Sequence, residues 1–224
     1  MNLTHNDIAQ MIDLSAVQPA DGEEAIRRMV DTARQYHCHL VTTLPSQTPR
    51  VIELLGGTRE IGVSGNVGFP SGGQTTRIKV AEAQELLQMG CTELDMVINI
   101  AKLCSGQSQD VLADIRAVVE TALGIPVKVI LECHYLTPDQ IRQACDLCIL
   151  AGAAFVKTGT GWAPSGATPE NVALIKAHVG DEIQIKASGG IRTLDTLLTL
   201  HRLGASRFGI GTRWVGDILK SGSR

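Results

Sequence analysis

Val127-Lys128-Val129-Ile130-Leu131-Glu132 is followed by Thr137-Pro138-Asp139-Gln140, which opens a helical stretch to Ala151, and then by Ala154-Phe155-Val156-Lys157-Thr158. A β-branched run, a helix with a threonine cap and a proline in its first turn, and a second β-branched run make one strand–helix–strand unit. The same alternation recurs outward in both directions. Strand-like runs occupy residues 11–14, 39–43, 62–67, 93–98, 183–187 and 207–210 besides the two just quoted, 127–132 and 154–158. Helix-like stretches occupy residues 23–36, 76–89, 111–123, 138–151, 169–178 and 194–203, several ending at glycine, as at Gly90, Gly124, Gly180 and Gly204. Eight such units in a row predict parallel strands with crossover helices. An open doubly wound sheet that binds nucleotides would carry G-x-G-x-x-G after its first strand, and none is present. The expected fold is α/β, a closed (β/α)₈ TIM barrel, as a single domain over residues 1–224.

Composition narrows the functional classes. With 224 residues, 44% hydrophobic and 19% charged, the chain can build one packed core. A net charge of −3 lacks the basic field that nucleic-acid binding demands, so no nucleic-acid partner is expected. Met1–Gln10 is polar, and no apolar run approaches the ~20 residues of a membrane span, so no membrane association is expected either. Cysteines at 38, 91, 104, 133, 145 and 148 are scattered, and the C-x-x-C of Cys145 and Cys148 falls inside a helical stretch. They read as structural thiols, which places the protein in the cytoplasm. His37 and His39 have no further ligand-type residues at metal spacing, and neither metal nor cofactor is expected.

Alternation along the strands sends unusual residues inward. Side chains at every second position share a face, so Glu93, Asp95, Val97 and Asn99 point into the barrel, as do Lys128, Ile130 and Glu132, Phe155 and Lys157, and Gln184 and Lys186. Buried ions cost several kcal/mol each, and a barrel interior is ordinarily filled by branched aliphatics. Lys157, Lys186 and Asp95 also sit toward the C-terminal ends of their strands, the face where barrels carry their active sites. An unperturbed lysine is a neutral amine in only about one molecule in 2,500 at pH 7. Burial and a neighbouring ammonium both lower its pKa. A lysine made neutral in this way attacks a carbonyl to form an iminium, an electron sink for carbon–carbon cleavage, with an acid beside it to move protons. Glycine clusters at Gly189-Gly190 and Gly209-Ile210-Gly211, with Gly159-Thr160-Gly161 beyond Lys157, offer backbone amides to a phosphate after the last strands.

These residues form recognisable motifs. Phe155-Val156-Lys157-Thr158-Gly159-Thr160-Gly161 resembles the Schiff-base segment F-V-K-T-S-T-G of the 2-deoxyribose-5-phosphate aldolase family. Glu93–Asn99 resembles its acid-bearing strand, and Lys186-Ala187-Ser188-Gly189-Gly190-Ile191-Arg192-Thr193 its second-lysine and phosphate segment. Ile12-Asp13-Leu14, Gly68-Phe69-Pro70 and Lys128–Glu132 match as well, so the likeness runs in order from about residue 8 to 215. The resemblance implies reversible addition of acetaldehyde to glyceraldehyde 3-phosphate by a class I aldolase without a metal. It implies Lys157 as the Schiff-base residue, Lys186 as its pKa-lowering partner and Asp95 as the proton donor and acceptor. Asp13, Lys128, Thr158, Gly161, Gly189, Gly190, Gly211 and Thr212 become substrate- and phosphate-binding residues, and a homo-oligomer is implied. The chain departs from the family pattern at Gly159, at Trp162 in place of phenylalanine, at Arg213 in place of serine, at Ser15–Gln18, at Thr42 where cysteine is frequent, and at Ser221–Arg224, which holds no tyrosine. Two other readings stand beside the leading one: a Schiff-base aldolase for a different sugar phosphate or aldehyde pair, and a non-catalytic sugar-phosphate sensor.

Overall fold

In the computed structural model, which describes residues 3–220, eight parallel strands close into a barrel in sequence order. The strands are β1 (Ile12–Ala16), β2 (Leu40–Thr43), β3 (Gly62–Val67), β4 (Glu93–Val97), β5 (Val127–Ile130), β6 (Phe155–Lys157), β7 (Gln184–Ser188) and β8 (Arg207–Gly211). Around them run α1 (His5–Ala9), α2 (Glu23–Tyr36), α3 (Thr48–Leu55), α4 (Thr76–Met89), α5 (Ile100–Cys104), α6 (Ser108–Thr121), α7 (Pro138–Ala151), α8 (Pro169–Val179), α9 (Leu194–Arg202) and α10 (Thr212–Lys220). The (β/α)₈ expectation is borne out. The C-terminal Ser221–Arg224 departure lies outside the described residues.

Local chemistry explains the boundaries. Thr137 caps α7 and makes a reciprocal pair with Gln140, while Pro138 occupies the first turn and Gly152 ends the helix at φ 79°. Thr168 and Pro169 open α8 in the same way, and α2 ends at His37 with φ 54°. The apolar residues of the strands and helices meet in one continuous layer between barrel and helices, from Ile12 and Leu14 through Met96, Val129 and Val156 to Phe208 and Ile210. Five of the six cysteines are buried and all six are free thiols. Cys145 and Cys148 face this layer from α7, and burial pushes the Cys145 thiol up to about 12. Among the described residues no helix is long and apolar enough to cross a membrane.

Three strands end earlier than alternation predicts, β4 and β6 by one residue and β5 by two. The sequence pattern predicts strand over residues 127–132, but β5 stops at Ile130, and Glu132 adopts φ 54° at the start of a 3₁₀ turn. Glu132 therefore leaves the inward row. Its buried carboxylate instead receives Thr160 N at 3.2 Å and the Thr160 hydroxyl, tying the β5–α7 turn to the loop after β6. β6 is confined to Phe155–Lys157. The register sets the charged rows: Asp95 pairs with Lys128 across β4 and β5, and Lys157 with Lys186 across β6 and β7.

Candidate active site

Asp95 is the hub of the barrel interior. Its Oδ2 accepts from Lys157 Nζ at 2.5 Å and Lys186 Nζ at 2.8 Å, and its Oδ1 from Lys128 Nζ at 2.6 Å and Ser64 Oγ at 2.9 Å. Lys186 also lies 2.5 Å from Asp13 Oδ2, and Lys128 lies 2.6 Å from Glu93 Oε2 and 3.7 Å from Asp13 Oδ2. Beneath them Arg207 Nη1 reaches Asp13 Oδ1 at 2.9 Å and Glu93 Oε2 at 3.5 Å, with its guanidinium over the Phe155 ring. His39, at 3.4 Å from Glu93 Oε1, closes the network toward the N-terminal end of the barrel. Four strongly basic side chains thus face three carboxylates: Lys128, Lys157, Lys186 and Arg207 against Asp13, Glu93 and Asp95. The count balances when one of the lysines is neutral.

The surroundings select Lys157 as that one. Burial is the largest influence on it and disfavours the ammonium; Asp95 opposes this, and the positive charges of Lys186 and Lys128 add to the burial. The outcome is an amine pushed down to about 8. Lys128 goes the other way: burial alone would lower it, but Asp95, Asp13 and Glu93 together raise it above the ordinary lysine value, so it stays charged. Burial would likewise raise Asp95, yet Lys128, Lys157 and Lys186 outweigh that and hold its carboxyl well below the usual range. Asp13 follows the same balance, with Lys186, Lys128 and Arg207 bringing it to about 2. The family resemblance assigns the activation of Lys157 to Lys186; desolvation is the larger cause.

Two connected chambers lie above this network at the C-terminal ends of the strands. The inner one, about 20 Å³, is lined by Lys157, Lys186, Asp13, Thr42, Asn66 and Phe69 among others. The outer one, of about 520 Å³, shares Ser15, Val17, Thr160, Ser188 and Gly209 with it and opens to solvent. Gly209 on β8 makes this possible: a Cβ there would stand 2.9 Å from Ser188 Cβ and 3.7 Å from Lys186 Cε. Of the residues named from the sequence, Gly161, Gly189, Gly190, Gly211 and Thr212 all line the outer chamber. Gly189 and Gly190 hold φ values of 100° and 91°, in the left-handed region that favours glycine. Among the described residues the amides of Gly161, Gly190 and Ile191 donate to no protein acceptor, which leaves them available to an anion. Thr212 opens α10, so that a helix N-terminus also meets the chamber, while its hydroxyl donates to Ser15 O at 3.0 Å.

Thr158 and Lys128 are placed differently from the rest. Thr158 lines neither chamber; it is fully buried and straps β6 to β7, donating to Ser188 O at 2.8 Å and accepting from Ser188 N at 2.9 Å. Lys128 is also fully buried and touches only the charged network and Ser64. Arg207, Asn66 and Ser64 join the site although no sequence motif singles them out. Only Arg207 leaves a trace there, as a charge opening a strand whose neighbours point inward. Trp162 packs behind the lining, its Nε1 donating to Val17 O at 3.0 Å and its ring meeting Phe69 edge-on at 5.9 Å. Among the described residues no three His, Cys, Asp or Glu side chains are grouped to hold a metal ion.

Comparison with known proteins agrees with this geometry. The pattern of the DeoC/LacD family aldolases matches residues 8–212. A deoxyribose-phosphate aldolase from Klebsiella pneumoniae subsp. pneumoniae is 44% identical over 221 residues, 98% of this chain and 89% of its own. One from Sinorhizobium medicae is 45% identical over 98% of this chain and 88% of its own. The tetrameric deoxyribose phosphate aldolase from Aeropyrum pernix superposes with a TM-score of 0.88 at 29% identity, covering 97% of this chain and 92% of that one.

Proposed function

The chain belongs to the DeoC/LacD family of aldolases, and we propose that it cleaves 2-deoxyribose 5-phosphate reversibly to acetaldehyde and glyceraldehyde 3-phosphate through a Schiff base on Lys157. The observation that carries this is a buried lysine, pushed down to about 8, at the floor of a chamber whose outer part is lined by unpaired backbone amides. In the cleavage direction the neutral Lys157 amine adds to the C1 aldehyde of the open-chain sugar. Loss of water gives an iminium. The C3 hydroxyl then gives up its proton, the C2–C3 bond breaks, and its electron pair flows into the iminium to leave an enamine and the phosphorylated triose. Protonation of the enamine at carbon and hydrolysis release acetaldehyde and restore the amine.

The network supports roles for the neighbouring residues in this reading. Lys186, within contact of Asp13 and Asp95 and lining the inner chamber, is the side chain that passes a proton to the departing carbinolamine hydroxyl. Asp95 touches both lysines through one oxygen, so a proton can pass between them across it. Its low pKa means that it rests ionised, and its negative charge favours the iminium when that cation forms on Lys157. Lys128 holds the other Asp95 oxygen, fixing the carboxylate's orientation. The phosphate sits against Gly161, Gly190 and Ile191 and the N-terminus of α10. The relatives' names and their near full-length match favour this sugar phosphate over another. Retention of a buried, depressed lysine argues against a sensor, which gains nothing from one. Unpaired thiols favour the cytoplasm, and the tetrameric relative favours a homo-oligomer.

Borohydride reduction in the presence of acetaldehyde, followed by peptide mass spectrometry, tests the reading. A reduced two-carbon adduct on Lys157 is expected; an adduct confined to other lysines, or none, rejects it. The pH dependence gives a second, independent check. The reactive amine gains population as pH rises through about 8, so kcat/KM should climb about tenfold per pH unit on the acid side and level off above that value. A profile flat from pH 6 to 9 would show that no such amine is involved.

A further inference from the structure

Arg213 and Trp214 lie in the first turn of α10, just beyond the last strand, and the amide cradle uses neither side chain. Arg192, in the turn between β7 and α9, and Arg213, at the start of α10, each place the guanidinium carbon 5.3 Å from the centre of the Trp214 ring. Among the described residues neither has a carboxylate within ion-pair distance, whereas Arg28 on the same rim lies 3.7 Å from Glu24. Both arginines and the indole line the outer chamber beside the unpaired amides of Gly161, Gly190 and Ile191. In a chain of net charge −3 this is a local concentration of positive charge. Stacking on an indole holds a guanidinium in place and leaves its edge free to donate. Two such cations on one ring repel each other unless an anion shares them. A phosphate monoester carries between about 1.5 and 2 negative charges at pH 7, about the charge that two guanidiniums match.

We propose that Arg213 and Arg192, mounted on Trp214, form a charged clamp on the acceptor's phosphate, and that Arg213 is a specificity-determining residue selecting phosphorylated over neutral aldehydes. The proposal rests on the aldolase reading of the two chambers. It assigns the serine-to-arginine departure at 213 a function: the amides supply shape, and the clamp supplies charge. The interaction is partly exposed, so it weakens with salt.

The test compares glyceraldehyde 3-phosphate with unphosphorylated glyceraldehyde as acceptors for acetaldehyde, in the unaltered protein and in Arg213→Ser and Arg213→Lys. For Arg213→Ser the ratio of kcat/KM between the two acceptors should fall about 10- to 100-fold, with the loss in KM. The salt dependence of the phosphorylated reaction should flatten. Arg213→Lys, which keeps the charge without the planar fork, should recover part of the ratio. An unchanged ratio in Arg213→Ser, or an equal loss for both acceptors, overturns the clamp. Borohydride trapping of acetaldehyde on Lys157 involves no phosphate. If trapping persists in Arg213→Ser while the ratio is unchanged, the clamp alone has failed; if trapping fails in the unaltered protein, the aldolase reading has failed.

Discussion

Lys157→Leu is expected to lose turnover of 2-deoxyribose 5-phosphate by roughly 10,000-fold or more while unfolding at the same temperature as the unaltered protein or higher at pH 7. The first half rests on chemistry, since Lys157 is the amine of the inner chamber that burial and its neighbours push toward neutrality. Lys128 is held charged by three carboxylates, and Lys186 lies against Asp13 and Asp95. The second half rests on charge. The folded amine titrates at about 8 against an ordinary value of 10.5. Between those values the unfolded chain binds a proton that the folded one releases, so this group's contribution to stability improves as pH rises through that window. Below it the folded protein carries the full cost of a buried ammonium, on the order of 3 kcal/mol. Leucine removes that cost and leaves three basic groups facing three carboxylates. Steady-state kinetics and calorimetry on one preparation read both quantities. A variant that keeps more than about a hundredth of the activity, or that melts well below the unaltered protein at pH 7, would refute this account of the residue.

The barrel is legible in the sequence because its signals are local and repeated. Threonine caps, terminal glycines and β-branched runs each mark one boundary, and eight repetitions leave little topological choice. The inward charges at Asp95, Lys128, Lys157 and Lys186 are legible for the same reason, since alternation within a strand is a property of few residues. Pairing across the barrel is what the sequence hides. Arg207 meets Asp13 across 194 positions of chain, and no spacing rule reaches that far. Lys79 shows the limit on the outer surface. The sequence marks residues 76–89 only as helical and gives Lys79 no distinguishing sign, yet it is fully buried, donating to Val97 O at 2.8 Å and to Asp114 Oδ2 at 2.5 Å. Glu132 defeats alternation because β5 has already stopped at Ile130 and its own left-handed backbone turns the carboxylate toward Thr160. The helix-like stretches legible in the sequence end at 203, whereas α10 starts at Thr212 without a linker. Periodicity predicts which face a residue takes but not which residue it will meet there.

Asp95→Asn separates the two roles of the network, and its stability effect should have the opposite sign to that of Lys157→Leu. Asparagine fills the same volume but carries no charge, and its amide nitrogen presents donors where ammonium groups now donate. Four basic side chains would then face only Asp13 and Glu93. Breaking a buried ion network by removing one partner costs about 3–5 kcal/mol, which for a chain of this size lowers Tm by on the order of 10 °C. The loss should be largest below pH 8, where Lys157 holds its proton, and should shrink as Lys157 becomes neutral. Turnover should fall about 100- to 10,000-fold, since the bridge between Lys157 and Lys186 and the counter-charge to the iminium go together. Asp95 also raises the Lys157 pKa, against burial. Without it the acid limb of the residual activity should move below pH 8, whereas losing a neighbouring cation would move that limb up. Thermal melts and kcat/KM across pH 6 to 9 measure all three effects. A variant with normal Tm would mean that the buried lysines do not depend on Asp95 for compensation. An acid limb that stays in place or moves up would mean that Asp95 does not hold the Lys157 proton.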